Sequence, residues 1–469
     1  MAVEDAAAPV GEAQDAAATV ARLRATFDAG RTRPTAWRRR QLRALRALLT
    51  EQAPALTDAL AADLGKSPVE THTSELGFVV NEIDHTLRHL DRWLRPRRVR
   101  VPVMMLPARA GTVREPLGVV LVISPWNYPV MLGLAPLVGA LAAGNCAVLK
   151  PSELAPATSA ALARLLPRYL DTDAVAVVEG AAEQTTRLLE QRFDHILYTG
   201  NGTVGRVVMT AAARHLTPVT LELGGKCPVL VEPGTDLAAA ARRIVWGKFL
   251  NAGQSCTAPD HVLAIGGTAG PLADHLAAAI TSMYGEDPAR SPDYGRIVND
   301  RHFDRLTALL GHGRVVTGGT HDRSARYLAP TVLADVDPDA PVMTEEIFGP
   351  ILPVLHLPDL DAAIAFVNAR AKPLALYAFT PHREARRRLL GETSSGAVGF
   401  GLPNAHLTLP GLPFGGVGES GIGSYHGQYS VETFSHTKAV LDKPLLPDTV
   451  RAVYPPFTAA KERLIRRFM

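Results

Sequence analysis

The stretch Val119-Val120-Leu121-Val122-Ile123, which follows Gly118, is a run of five apolar residues from which the fold can be predicted. A short continuous apolar run is typical of a strand that is buried on both faces of a parallel sheet. Further strand-like segments lie at 147–149, 175–178, 195–198 and 219–221, with helix-like segments at 155–169, 183–192 and 204–215 between them. Because strands alternate with helices, we predict a parallel sheet covered by helices on both sides.

The rest of the chain shows other patterns. Apolar residues at helical spacing, such as Leu42, Leu45 and Leu49, predict helices from about 17 to 95. Residues 97–116 alternate and contain prolines, which favours an extended hairpin. A second alternating block covers about 224–397, with strands expected at 228–231, 261–265 and 351–355, and one more strand-like segment lies at 433–441. A chain of 469 residues exceeds what one core usually serves, so we expect an α/β protein with two or three domains.

Composition and charge narrow the class of protein. Of all residues, 47% are hydrophobic and 20% are charged, as in ordinary globular proteins. The formal net charge of +3 argues against nucleic acid as a partner. Three cysteines are too few, and odd in number, for a disulfide framework. The N-terminus lacks a signal-peptide pattern, and the longest apolar stretch, 129–143, is interrupted by glycines and a proline. We therefore expect a soluble, cytoplasmic protein without a membrane anchor.

The sequence Asn251-Ala252-Gly253-Gln254-Ser255-Cys256 is the best indication of chemistry. Small and polar residues flank this cysteine, which suits an accessible, nucleophilic thiol on a tight backbone. The alternative is a buried structural cysteine, the commoner role for a cysteine without such a context. Cys146 and Cys227 adjoin apolar strand-like segments and keep the structural interpretation.

Two glycine-containing motifs follow apolar strands. Glu222-Leu223-Gly224-Gly225-Lys226 places a carboxylate at a strand end, where it acts as a general base or lies in a surface turn. Gly200-Asn201-Gly202-Thr203-Val204-Gly205 spells G-x-G-x-x-G between a strand and a helix, which is the context of a dinucleotide-binding loop. Taken alone, that match would make Glu222 the ribose-binding acid, but the cysteine motif favours a catalytic role for it.

Two polar motifs follow the first two parallel strands. Pro125-Trp126-Asn127-Tyr128-Pro129 comes directly after the first strand, and ligands bind at the carboxyl ends of such strands. Its prolines stiffen the loop, so Asn127 offers an amide donor of fixed direction, unless the segment is only a structural turn. Lys150-Pro151-Ser152-Glu153 combines a cation with an acid that can accept hydrogen bonds from ribose hydroxyls; alone, it would more often be a solvated helix start.

Together these motifs resemble the aldehyde dehydrogenase superfamily, and most closely its class 3 branch, over about residues 20–445. The resemblance rests on stretches that occur in the family's order, at 125–129, 150–153, 198–205, 221–226, 253–256, 345–350 and 413–427. The stretches 193–200, 216–226 and 425–427 favour class 3 in particular. The resemblance implies an α/β fold with a Rossmann-type parallel-sheet cofactor domain, an α/β catalytic domain and a small β bridging layer.

The resemblance also implies how the chain is divided and assembled. The expected divisions are a cofactor-binding domain at 1–97 and 116–222, a catalytic domain at 223–410, oligomerisation or bridging segments at 98–115 and 411–445, and a C-terminal tail at 446–469. Class 3 members are usually dimers, so we expect a homodimer in which the two bridging segments form the shared layer. Tyr425 and His426 are expected either at the substrate entrance or packed on the surface.

By the same resemblance, Cys256 is the nucleophile, a thiolate whose pKa we expect to be lowered by local dipoles or by the charge of the bound nicotinamide. It adds to an aldehyde carbonyl, and the Asn127 amide and the Cys256 N–H stabilise the oxyanion. Hydride transfer to the nicotinamide leaves a thioester, and Glu222 activates the water that hydrolyses it. Family members that transfer the acyl group to coenzyme A typically lack this glutamate, so its presence favours hydrolysis.

The cofactor-binding residues implied by the resemblance are Trp126, Lys150, Glu153, Gly200, Val204, Gly205, Glu346 and Phe348. Lys150 and Glu153 are expected at the adenosine ribose, and Gly200 and the helix start near Val204 at the pyrophosphate. Glu346 is expected at the nicotinamide ribose, with Phe348 packed beside it. Gly202 departs from the family pattern, which typically has threonine there. A glutamate at the 2′-hydroxyl favours NAD, with some use of NADP, and no metal is expected.

Two other functions remain open on the sequence alone. A cysteine acyl-transfer or esterase enzyme would need a histidine base paired with the cysteine, whereas the sequence supplies the glutamate motif. A non-catalytic relative would have lost the nucleophile or the base, and both are present. The resemblance suggests medium-to-long aliphatic or aromatic aldehydes as substrates of the favoured enzyme.

Overall fold

The structure, a computed structural model, describes residues 15–468. Its helices are α1 Ala16–Asp28, α2 Thr35–Glu51, α3 Ala53–Leu64, α4 Pro68–Thr71, α5 Gly77–Leu94, α6 Pro129–Ala143, α7 Pro156–Tyr169, α8 Ala182–Leu189, α9 Gly202–Ala213, α10 Leu237–Phe249, α11 Ala269–Tyr284, α12 Asp300–Leu309, α13 Pro341–Thr344, α14 Leu360–Asn368, α15 Arg383–Glu392, α16 Gly427–Thr433 and α17 Ala459–Phe468. The first fourteen residues of the expected cofactor-binding domain lie outside the described residues.

The strands form three main sheets and a short two-stranded ribbon. They are β1 Arg97–Val99, β2 Arg109–Pro116, β3 Val119–Ile123, β4 Cys146–Lys150, β5 Val175–Val177, β6 His195–Gly200, β7 Val219–Leu223, β8 Pro228–Val231, β9 His261–Ile265, β10 Arg314–Thr317, β11 His321–Asp322, β12 Tyr327–Leu328, β13 Thr331–Ala334, β14 Ile351–Leu357, β15 Ala375–Phe379, β16 Ala397–Phe400, β17 Gly421–Ile422 and β18 Ser435–Asp442.

The first sheet has the strand order β17-β7-β6-β3-β4-β5. All its pairs are parallel except β17 with β7. β3 and β4 are buried along their whole length, as their continuous apolar runs require. The strand order reverses between β3 and β6, and ligands bind in the crevice at the carboxyl ends of strands at such a point. The predicted Rossmann-type sheet is therefore confirmed.

The second sheet has the order β10-β13-β14-β9-β8-β15-β16 and is parallel apart from β10. The residues 224–227 join the end of β7 to the start of β8. Because this connection is only four residues long, the carboxyl end of β7 lies close to the amino end of β8. The cleft between the two sheets contains the candidate site.

The third sheet, β1-β2-β18, is antiparallel. β18 pairs with β2 along all eight of its residues and is otherwise exposed, so one of its edges is open. The expected bridging segment 411–445 contains this strand, but it also contains β17, which joins the first sheet. Helix α17 lies in the stretch expected as a tail. The expected domain boundaries remain a prediction.

Candidate active site

Cys256 follows a tight turn between α10 and β9. The 3₁₀ turn Leu250–Gly253 contains three successive residues with left-handed backbone, with φ of 53° at Asn251, 51° at Ala252 and 75° at Gly253. A side chain at Gly253 would collide with the carbonyl of Gly349, so only glycine fits there. Such strain is kept where the surroundings over-determine it, often at functional sites. The turn delivers a partly exposed Cys256 into the cleft.

The Cys256 thiol lies among groups that oppose its ionisation. Burial raises its pKa well above the ordinary value, and the carboxylates of Glu346 and Glu222 raise it further. Hydrogen bonds from the backbone N–H groups of Cys256 and Thr257 act in the opposite direction. Among the protein groups, burial and the two carboxylates outweigh the backbone dipoles, so the pKa of the thiol is raised. The lowering expected from the charge of a bound nicotinamide stays a prediction.

Asn127 lies in the loop after β3 and is buried. Its side-chain Nδ2 donates to the Gln254 carbonyl over 3.0 Å, which brings the amide to the cysteine turn. Its own backbone carbonyl accepts from Lys66 Nζ at 2.8 Å and from Asn251 Nδ2 at 2.9 Å. A primary amide has two N–H donors, so one of them holds the turn while the second can serve a substrate oxygen.

Glu222 is buried on β7. In the described part of the chain, neither of its carboxylate oxygens has a hydrogen-bond partner. Burial raises its pKa well above the ordinary value. A carboxyl group in this environment holds its proton more tightly than in water, which is the property that tuned acid–base groups show.

Lys150 and Glu153 lie together at the end of β4. Lys150 Nζ donates to the Pro151 carbonyl at 2.8 Å and to Glu153 Oε2 at 3.1 Å. The Glu153 side chain is 44% exposed, so its carboxylate can reach a ligand. β4 is the second strand of the sheet, and dinucleotide-binding folds of this topology hold a ribose with an acid near that point.

Helix α9 starts directly after Gly200, the last residue of β6. Its N-cap is Asn201, whose side chain accepts from the backbone N–H of Val204 at 3.0 Å. A Cβ at Gly205 would lie 2.9 Å from the Leu223 side chain, so glycine is needed for helix and strand to pack closely. At Gly202 the nearest atom would be the flexible end of Arg206, at 3.3 Å. The third glycine of the G-x-G-x-x-G match therefore has a steric reason, and the second has none.

Glu346 lies across the cleft from this helix. One carboxylate oxygen, Oε1, is buried without a partner in the described residues, while the other end of the group receives the Gly225 N–H. Burial raises the pKa of Glu346 to about 7. A side chain at Gly224 would collide with this carboxylate, so the backbone approaches it closely. The Trp126 and Phe348 rings lie 5.4 Å apart nearby.

A cavity of about 610 Å³ adjoins this group, within the range of small-molecule sites. Its lining includes Asn201, Gly202, Gly224, Gly225 and Glu346. The cavity is therefore bordered by the unpaired Glu346 oxygen, by the closely approaching Gly224 backbone and by the start of α9. These features fit a bound dinucleotide.

Comparison with known proteins agrees with this arrangement. The model of the aldehyde dehydrogenase family matches residues 4–440. The chain is 48% identical to mouse aldehyde dehydrogenase family 3 member B2 over 465 residues, which cover 99% of this chain and 97% of the relative. It is 47% identical to the rat dimeric NADP-preferring aldehyde dehydrogenase, over 95% of this chain and 98% of that one. A substrate-bound structure of Staphylococcus aureus AldH superimposes with a TM-score of 0.94 at 40% identity, and the match covers 96% of this chain and 98% of that one.

This chain belongs to the aldehyde dehydrogenase family. The class 3 resemblance is confirmed, because several of the similar relatives are aldehyde dehydrogenase family 3 members. The protein is accordingly an NAD(P)-dependent aldehyde dehydrogenase.

Several residues of this aldehyde dehydrogenase escaped the sequence analysis. Gln254 is fully buried and uses both ends of its side chain: Nε2 donates to the carbonyls of Asn251 and Arg296, and Oε1 accepts from Val298 N–H. Lys66 was missed because it follows a helix and looks like a solvated cation. Gly65 in left-handed conformation was the available signal, since it ends α3 and turns the next residue inward.

Tyr425 and His426 are both buried, which excludes packing on the surface. The Tyr425 hydroxyl has no partner within the described residues, and the charges of Glu222 and Cys256 both act on it. The site of this aldehyde dehydrogenase therefore extends to the segment that precedes α16.

Two further findings concern residues 15–468 only. None of the helices there combines the length and the apolar composition needed to cross a membrane. In the same range, no three His, Cys, Asp or Glu side chains come together in the way that a metal site requires.

Proposed function

We propose that this aldehyde dehydrogenase oxidises aldehydes to carboxylic acids through covalent intermediates on Cys256, with Asn127 and Glu222 as its catalytic partners. One observation carries the proposal: the Asn127 amide is bonded to the cysteine turn, while the Glu222 and Glu346 carboxylates act on the same thiol. A nucleophile, a donor and a base around one cysteine form the constellation that acyl chemistry at a thiol needs.

Each residue has a separate task in this mechanism. The Cys256 sulfur attacks the carbonyl carbon, and the Asn127 amide and the Cys256 N–H donate to the oxygen as it becomes negative, each contributing roughly 3 kcal/mol. The nicotinamide, when bound, supplies the hydride acceptor. Loss of hydride from the hemithioacetal carbon leaves a thioester on Cys256. Glu222 then removes a proton from the water that attacks this thioester, the carbon–sulfur bond breaks, and the carboxylic acid departs with the Cys256 sulfur as the leaving group.

We propose that the cofactor is held by Lys150 and Glu153 at the adenosine ribose, by Gly200, Val204 and Gly205 near the pyrophosphate, and by Trp126, Glu346 and Phe348 around the nicotinamide ribose. The exposed Glu153 carboxylate supports a preference for NAD, with some use of NADP, because it would repel a 2′-phosphate. Medium-to-long aliphatic or aromatic aldehydes are the proposed substrates, by likeness to class 3 enzymes.

A homodimer is the proposed assembly. It is supported by the open edge of β18 and by the name of the rat relative, which describes that protein as dimeric. The expectation of a cytoplasmic protein is likewise kept as a proposal.

The cysteine acyl-transfer alternative is less well supported. In the described part of the chain, the charged groups that act most strongly on the thiol are carboxylates and not an imidazole. A cysteine–histidine enzyme depends on such an imidazole to activate the thiol.

The test is cofactor reduction by the purified protein with NAD or NADP and a panel of aldehydes of increasing chain length, together with benzaldehyde. Absorbance of the reduced cofactor should grow with the wild type and be abolished in Cys256→Ala. The matched control is Cys146→Ala, which removes a buried thiol on β4 and should stay active. Undiminished turnover by Cys256→Ala would overturn the proposal.

A further inference from the structure

Lys66 and Glu75 form a buried ion pair directly behind the Asn127 loop. Lys66 Nζ lies 2.6 Å from Glu75 Oε1, and neither side chain is exposed to solvent. Taking two charges out of water is costly, and a pair of apolar side chains of similar volume often gives a protein equal or greater stability. A contribution to stability therefore does not explain why this ion pair is present. Its contacts with the Asn127 loop indicate a different role.

The Lys66 ammonium contacts two residues of the loop. It donates to the backbone carbonyl of Asn127 at 2.8 Å, and it lies 3.9 Å from the centre of the Tyr128 ring. The Tyr128 side chain in turn shares a hydrogen bond with Ser255, the residue before the nucleophile. One cation thus touches the peptide that carries the amide donor and the ring that supports the cysteine turn.

Glu75 binds the first turn of α6, which directly follows the Asn127 loop. It belongs to a π-helical turn, His72–Leu76, between α4 and α5, and such turns frequently occur at functional sites. While Oε1 holds Lys66, Oε2 accepts from the backbone N–H of Met131 at 2.7 Å, in the first turn of α6. Helix starts attract negative charge, so this carboxylate is well placed there. The Glu75 carboxylate therefore anchors the start of α6 directly and the Asn127 peptide through Lys66.

We propose that Lys66 and Glu75 are positioning residues that fix the Asn127 peptide, so that its side-chain amide meets the oxyanion formed at Cys256. This inference rests on the proposed function, because it assumes the role of Asn127 given above. Asn251 Nδ2 also donates to the Asn127 carbonyl, at 2.9 Å, so removal of Lys66 leaves one donor where there were two. The peptide can then rotate, and displacements of about 1 Å at a catalytic group cost up to about 100-fold in rate.

The experiment is a double-mutant cycle between the ion pair and Asn127. The pair is replaced as Lys66→Met/Glu75→Met, which removes both charges of the pair at similar volume. The neighbouring buried Glu70 keeps its hydrogen bond from the backbone N–H of Asn251. kcat and KM for benzaldehyde at saturating NAD, and KM for NAD at saturating benzaldehyde, are measured in this variant, in Asn127→Ala and in the combination. If Lys66→Met/Glu75→Met does not fold, Lys66→Met/Glu75→Gln serves in the same cycle, since it also removes both charges and its amide oxygen can still accept from the Met131 N–H.

The pair replacement should lower kcat by about 10- to 100-fold and leave KM for NAD within twofold. In the Asn127→Ala background it should cost less than threefold more, because the group it positions is already gone. Leu389→Ala is the control, a buried position on α15 whose loss lowers stability and should leave kcat unchanged. An equal loss in both backgrounds, or no loss in either, would overturn the positioning role. If instead Asn127→Ala itself keeps full kcat, the proposed function fails at that residue, which is a distinguishable result.

Discussion

Glu222 lies directly opposite Gly421 in the antiparallel pair of β7 and β17. A side chain at Gly421 would collide with the carbonyl of Leu221, so the glycine-rich segment can pack against the strand that carries Glu222 only without a Cβ at that position. This close contact helps to exclude water from the carboxyl group, and its burial is the cause of its raised pKa. Several consequences of that environment can be measured.

The variant Glu222→Gln should acylate once and then stall. Its amide has nearly the same shape as the carboxyl group, so Cys256 is undisturbed, but it cannot take a proton from water. We expect a burst of about one reduced cofactor per active site, followed by a steady-state rate lower by 100-fold or more. Mass spectrometry of the intact protein should detect the acyl adduct. The double variant Glu222→Gln/Cys256→Ala should show neither the burst nor the adduct. A wild-type steady-state rate in Glu222→Gln would contradict the role of base.

The same substitution should change stability in a pH-dependent way. Because the folded-state pKa of Glu222 is raised above 4.5, the folded protein binds this proton more tightly than the unfolded chain does. The contribution of this carboxyl group to the free energy of unfolding is therefore fully present below pH 4.5. It falls as the pH rises towards the folded-state pKa, by about 1.4 kcal/mol for each unit that separates the folded-state pKa from the unfolded-state pKa.

Glutamine has no such proton to lose. The melting temperature of Glu222→Gln should therefore exceed that of the wild type at pH 8, and the difference should vanish near pH 4. Glu183→Gln, an exposed position on α8 that loses a surface ion pair with Arg187, provides a control whose effect should stay within about 0.5 kcal/mol at either pH. A Glu222→Gln protein that melts below the wild type at pH 8 would show that the carboxylate is stabilised by contacts instead.

Glu153→Gln should shift cofactor preference towards NADP. Two unit charges about 4 Å apart in water interact by about 1 kcal/mol, which corresponds to roughly fivefold in affinity, and this repulsion of a 2′-phosphate is removed. The ratio of kcat/KM for NADP to that for NAD should rise by about fivefold. Glu183→Gln again supplies the control, and an unchanged ratio in Glu153→Gln would count against its place at the ribose.

Sedimentation should find a dimer, and Leu441→Lys should weaken it. Leu441 lies on β18, whose free edge is exposed, and its side chain is 57% exposed in the single chain. A partner strand on this edge would bury the leucine, whereas a lysine there disfavours edge-to-edge pairing. Val69→Lys on α4 introduces the same charge at another exposed apolar position and should leave the mass unchanged. A wild-type protein that sediments as a monomer would disprove the proposed assembly.

Burial on both faces leaves a continuous apolar run, which made the parallel strands of the first sheet and β8, β9 and β14 of the second sheet predictable. The strands β10, β13, β15 and β16 of the second sheet were not predicted. β3, β8 and β9 have the predicted bounds for this reason. Asn127, Lys150 and Glu222 lie at the ends of such strands, so their convergence on one edge followed from the parallel arrangement.

The functional residues that the sequence did not indicate have buried polar or charged side chains. These side chains bond to backbone groups that are distant in the sequence. Lys66 meets Asn127 across 61 positions, and nothing in its own neighbourhood distinguishes it from a surface lysine. Local sequence also does not reveal that two distant carboxylates act on the Cys256 thiol and, with burial, raise its pKa. Composition limits what a residue can do, and only packing decides which partners it finds.

The four residues 224–227 carry the chain from the first sheet to the second, and β17 brings it back to pair with the same strand, β7. Both crossings therefore meet at one strand. A wide hinge motion between the parts of the chain that contain the first and the second sheet would have to break the hydrogen bonds between β17 and β7. It would also have to twist the short connection 224–227. Mechanical coupling of this kind favours cooperative melting, so calorimetry is expected to record a single transition in which the two halves lose their structure together.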